Sequence, residues 1–166
     1  MAVLATACPA PSTPSPTPPS PTPPGGSIGI GVDPSKEPGR EDVNYITPSM
    51  VEIGNVYPGD FADFELTVHN GGKKPTTFTV TVRSADKTKA GYEKLPGEYL
   101  NWIRIDDTNP SVGSMESKKV LVTVTMPASV TAPGKRYEAW VVVKDMGQEG
   151  NVQIELACRV LIETGA

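Results

Sequence analysis

The chain has 166 residues, 18 prolines, 16 glycines, a single histidine and a formal net charge of −4. Such a length suits one domain plus additional sequence rather than two domains, and mild acidity argues against nucleic-acid binding, which needs basic patches. No run approaches the roughly 20 apolar residues of a spanning helix, and one histidine with the distant cysteines Cys8 and Cys158 supplies neither a structural zinc site nor a disulfide framework.

The opening residues MAVLATAC are apolar or small up to Cys8. Ala5-Thr6-Ala7-Cys8 resembles the end of a bacterial lipoprotein signal peptide, where small residues precede a cysteine that is lipidated on its sulfur. The resemblance implies Cys8 as the lipid attachment point and membrane contact only through that anchor. Because no positive charge precedes the short apolar stretch, it also implies a longer start encoded upstream. Read on the residues alone, an apolar N-terminus with a free thiol is the alternative.

Residues 9–24 contain nine prolines and otherwise only Ala, Ser and Thr, and no charged residue occurs before Asp33. Proline fixes φ near −65° and drives its predecessor towards extended conformations, so the tract favours polyproline II. At about 3.1 Å per residue it would reach roughly 50 Å, enough to hold a domain clear of a surface. A stalk is therefore expected over residues 1–32, with an ordinary disordered tail as the alternative, and a linker over 33–44. Gly29-Ile30-Gly31 belongs to that loose region, because no Lys-Ser/Thr follows to make a phosphate loop.

From Tyr45 the pattern changes to period-2 alternation, the signature of half-buried strands. Residues 45–47 and 51–53, separated by Pro48-Ser49, read as a first strand broken by a kink. Phe64, Leu66 and Val68 form the inward row of the next, which ends at Asn70-Gly71-Gly72, a turn signal. Phe78, Val80 and Val82 mark a third strand, Leu100 to Ile105 a short fourth, and Val120, Val122, Val124 and Met126 a fifth. Tyr137 to Lys144 is more continuously apolar, as expected of a strand covered on both faces. In the last run Val152, Ile154, Leu156, Cys158, Val160 and Ile162 share one face. Seven strands with regular turns predict an all-β, immunoglobulin-like antiparallel sandwich over residues 45–163.

The stretch Ile46-Thr47-Pro48-Ser49-Met50-Val51-Glu52-Ile53-Gly54-Asn55-Val56-Tyr57-Pro58-Gly59-Asp60 resembles the opening of hydin-like and other PapD-like immunoglobulin domains. Phe64 to Gly72 is similar to the family's strand ending in Asn-x-Gly, and Met115-Glu116-Ser117 falls where the family turns into a Val/Thr-rich strand. The resemblance implies a fold and a habit of binding or scaffolding, and no catalytic residues. The connection from about Asp86 to Gly97 is longer than the minimal pattern.

Few residues could carry chemistry. His69 has the exposed-face parity of its strand, so a surface residue is expected rather than a catalytic base. Asp106 and Asp107 cluster oxygens at a strand end, where calcium sites occur in some sandwiches, but the ordered calcium-loop spacing is missing and a polar loop is the simpler reading. Cys158 shares its parity with aliphatic residues and is expected to be a buried, free thiol. Tyr92, Tyr99 and Trp102 could line a binding patch or cover a sheet edge, and Trp140 is expected to pack in or against the core.

These readings point to a non-enzymatic module needing no cofactor, outside the cell or on the envelope, either bacterial or on a virion surface. A protein partner or self-assembly suits it best, whether as a stalked binding or scaffolding domain or as a decoration or filament subunit. A carbohydrate-binding module is the other alternative.

Overall fold

The computed structural model describes residues 27–30, 42–145 and 154–166. Within them the chain forms two facing sheets. The smaller has the order β2 (Tyr45–Thr47), β4 (Phe61–His69), β9 (Ser117–Thr125), β7 (Ile103–Ile105). The larger runs β1 (Ser27–Ile30), β3 (Met50–Val56), β11 (Glu155–Thr164), β10 (Arg136–Asp145), β5 (Thr76–Ser84), β8 (Ser111–Val112), and the two-residue β6 (Glu93–Lys94) pairs with β10. Neighbours are antiparallel except β3 with β11 and β6 with β10. The all-β immunoglobulin-like sandwich expected from the alternation is thus the architecture observed.

The kink at Pro48-Ser49 does more than bend a strand. It sends the two halves to opposite sheets, β2 onto β4 and β3 onto β11, through a cis Thr47–Pro48 peptide. Each sheet contributes its inward row to one core: Leu66, Val68, Val120 and Val122 from the smaller sheet meet Val80, Val141 and Val160 from the larger, all essentially inaccessible. A one-residue slip of any of these strands would expose its whole row, so register is tightly specified.

The predicted turn at Asn70-Gly71-Gly72 has a physical basis in a buried amide. Asn70 Nδ2 donates to the carbonyls of Lys74 and Gly113, and its Oδ1 accepts from the Gly72 amide. It therefore ties the end of β4 to the loop after β8. At Gly71 the backbone passes so close to Val43 that a Cβ would lie 2.2 Å from the Val43 nitrogen. Only glycine fits there.

Four features depart from the alternation. Ser27–Ile30, expected to be linker, adds antiparallel to β3, pairing Ile28 with Ile53 and Ile30 with Val51. Gly97–Trp102 is a 3-10 helix, so the strand expected from Leu100 begins only at Ile103. In a three-residue repeat i and i+3 eclipse, and this stacks Tyr99 on Trp102 at 4.6 Å. Ile154, assigned to the inward row of the last strand, precedes β11 and is 42% exposed, while Val152 lies outside the described residues. Finally, the long connection after β5 is laid across the outer face of the larger sheet. Its Lys89 amide reaches Glu138 on β10 and its Lys89 ammonium pairs with Glu52 on β3. This cover explains why Glu138 and Leu161, outward by parity, are buried.

Candidate functional site

The aromatic residues read from the sequence do not share a surface. Trp102 is 2% exposed, its ring stacked on Tyr99 and edge-on to Tyr137 at 6.2 Å. Tyr99 is half-buried over that cluster. Tyr92 stands apart on the outer side of the larger sheet, where its hydroxyl donates to Glu163 at 2.7 Å and the cationic groups of Lys89 and Arg136 lie over its ring. Burial, then the bond to Glu163 and that residue's charge, push the phenol up to about 12. A planar platform made of all three is therefore not what the fold builds.

Trp140 lies half-buried on the outer face of the larger sheet. It was expected in or against the core; the core row of β10 is Tyr137, Ala139, Val141 and Val143, which places Trp140 on the opposite face with Glu138 and Lys144. The unbroken apolar run of that strand conceals which parity faces in. Arg83 covers the half-buried indole at 5.3 Å, and the indole Nε1 donates to Glu138 at 2.9 Å.

Glu138 is a buried carboxylate with several donors. Arg159 grips it with Nε at 2.7 Å and a second nitrogen at 2.9 Å, and the Lys89 amide adds a bond at 2.6 Å. Burial alone would raise its pKa, but the Arg159 fork, the Lys89 amide and the Trp140 indole together hold it below the ordinary carboxylate value. Sequence reasoning passed over this residue, because one Glu in an apolar strand reads as an outward position. The arrangement ties a loop to a sheet and leaves the carboxylate no free lone pair aimed at solvent.

The remaining candidates are also accounted for. His69, expected at the surface, is 7% exposed because Tyr45 stacks on its ring at 4.5 Å, and its Nδ1 bonds the Ser117 hydroxyl. Asp106 accepts from the amides of Asp107 and Leu121, and Asp107 accepts from the Asn109 amide and pairs with Lys118. Those carboxylates close a polar loop. Cys158 is buried and free, and burial pushes its thiol up to about 12. Cys8 lies outside the described residues.

Among the described residues, two depressions lie along β7, the edge of the smaller sheet. On its inner side, where the two sheets part, a cleft of about 390 Å³ is lined by Val80, Val82, Ile103 and Ile105 with threonines of β5. On its outer side a shallow depression of about 650 Å³ is lined by Asn101, Arg104, Leu121 and Thr123 among others. Ile105 borders both. The sequence marks a short strand here, but three residues are too few to show that its edge is open.

No protein-family model and no curated protein sequence matches the chain. Among solved structures it is similar to the ASH/PapD-like domain of human CEP192, at 16% identity and a TM-score of 0.55, covering 84% of this chain and 97% of that one. The periplasmic chaperone SfaE is similar at 13% identity and a TM-score of 0.54, over 75% of this chain and 59% of its own. A family 123 glycoside hydrolase from Clostridium perfringens is similar at 12% identity and a TM-score of 0.51, over 84% of this chain but 27% of the hydrolase. The chain has the PapD-like immunoglobulin fold.

Proposed function

We propose that this protein is a non-enzymatic protein-binding or scaffolding module, held on its proline-rich tract at the cell envelope or cell surface with Cys8 as the lipid attachment point. The observation that carries the binding reading is the open β7 edge, bordered by a depression on each side. An unpaired edge with pockets beside it suits main-chain recognition of an extended partner. The fold neighbours support the same reading: one similar structure comes from a chaperone–tip adhesin complex, at a TM-score of 0.53. The polar clusters support it from the other side, since Glu138, Asp106 and Asp107 are engaged in holding loops. The tract's composition, uncharged before Asp33, supports a spacer role.

The test is capture from an envelope fraction by the full chain and by two variants. One carries Arg104→Glu with Thr123→Lys on the β7 side, the other Lys89→Ala on the far face. A partner retained by the wild type and by Lys89→Ala, and lost by the double variant at an unchanged unfolding midpoint, is the expected result. Equal capture by all three, or turnover of a substrate, would contradict the reading.

A further inference from the structure

We infer that the free edge of β7 takes, by strand addition, an extended peptide segment of a partner protein in which apolar residues alternate with acidic ones. The inference rests on the binding reading above and names the chemistry of its partner.

Hydrogen-bond direction comes first. The Asp106 amide donates to the Leu121 carbonyl on β9 at 3.1 Å. Backbone groups of a strand alternate sides, so Arg104 also faces β9 while Ile103 and Ile105 face away. The Ile103 amide is used by the Leu100 carbonyl that ends the 3-10 helix. The Ile105 amide and the carbonyls of Ile103 and Ile105 have no hydrogen-bonding partner among the described residues. The opposite limit of the fold shows how such an edge is filled: Ser27–Ile30 of the chain itself pairs along β3.

Side-chain chemistry comes second. A strand laid on β7 sends successive side chains to opposite faces. One set would enter the cleft whose accessible apolar lining is Val82 and Ile105, beside the buried Val80 and Ile103, which rewards apolar groups. The other set would enter the outer depression beside Arg104. Arg104 is exposed and makes no ion pair among the described residues, whereas most other cations of the two sheets are paired. The Asp106 carboxylate in the same depression is turned to two backbone amides. An acidic side chain on the partner therefore has a cation to meet.

Charge also decides against a second copy of this chain. Two β7 strands paired about a two-fold axis would bring their Arg104 side chains together, and like charges across a strand pair are destabilising.

The experiment titrates the isotope-labelled full chain with three seven-residue peptides and follows backbone amides. The first has the sequence Thr-Val-Glu-Val-Glu-Val-Thr. The second replaces both glutamates by lysine. The third is the first with its central valine N-methylated, which removes a ladder donor. The acidic peptide is expected to bind at least about tenfold more tightly than the lysine peptide and to shift the amides of Ile103 to Ile105. N-methylation should abolish those shifts, and Arg104→Glu should reverse the order of the charged pair. Equal affinities, no binding, or shifts centred away from β7 would overturn the inference. If the peptides fail while the Arg104→Glu/Thr123→Lys variant still loses its partner, only the partner's chemistry is wrong; if capture by that variant is unchanged, the binding reading fails with it.

Discussion

Glu138 is the residue on which the outer face of the larger sheet depends. Removing its charge leaves the Arg159 guanidinium, with its side chain 37% exposed, to be hydrated again, so the loss falls below the 3–5 kcal/mol of a fully buried broken pair. Glu138→Gln is expected to cost roughly 2 kcal/mol at neutral pH. Its pKa is depressed in the folded protein, so its stabilisation is complete above the ordinary value of 4.5 and is lost as the pH falls through the lower folded value. Thermal unfolding from pH 7 downwards should show the gap between wild type and variant closing only below about pH 4.5; a gap independent of pH would refute the charge assignment. Cys158 gives the second test at this scale. Buried, and with its thiol pushed up to about 12, it should react with a thiol reagent only as fast as the fold opens. Rapid labelling of Cys158 in the native protein would show the register of β11 to be wrong. The parity of Val160 and Ile162 made Cys158 legible from sequence. The outer-face position of Trp140 was not legible, because an apolar residue on a strand covered on both faces carries no sign of which face it takes, and the burial of Trp102 was not legible because the 3-10 helix that carries it shows no strand period.

Among the elements, β4, β5 and β9 were readable because each is nine residues long with alternating apolar and polar positions. Among the short ones, Tyr45–Thr47 was read as the first half of a kinked strand and β7 as the end of a strand from Leu100, whereas the two-residue β8 gave no signal and is a strand only through its pairing with β5. The edge strand β1 was missed for a different reason. Its sequence Ser27-Ile28-Gly29-Ile30 lies in glycine-rich surroundings that lower strand propensity, and only the partner β3 rescues it. This makes β1 separable. A chain lacking residues 1–26 should unfold at the full-length midpoint, whereas one lacking residues 1–40 should lose about 1 kcal/mol, or roughly 4 °C, measured by thermal denaturation. Identical midpoints for both truncations would mean that β1 adds nothing to the fold. A collapse of the second would mean that the sandwich needs its edge covered.

For the whole molecule, the division of labour between sandwich and proline-rich tract is the central claim. Every charge of the chain lies from Asp33 onward, and the tract 9–24 holds only Pro, Ala, Ser and Thr. On the proposed reading its service is reach, and binding is assigned to the sandwich, at the β7 edge. The most direct test replaces residues 9–24 in the full chain by an unrelated stiff linker of equal length and measures partner retention on the envelope. Retention close to the wild type is expected, with a weakening only when the linker is halved, because a tether acts through geometry. Loss of retention with the equal-length linker, while the sandwich unfolds at its normal midpoint, would place recognition in the tract and contradict the account.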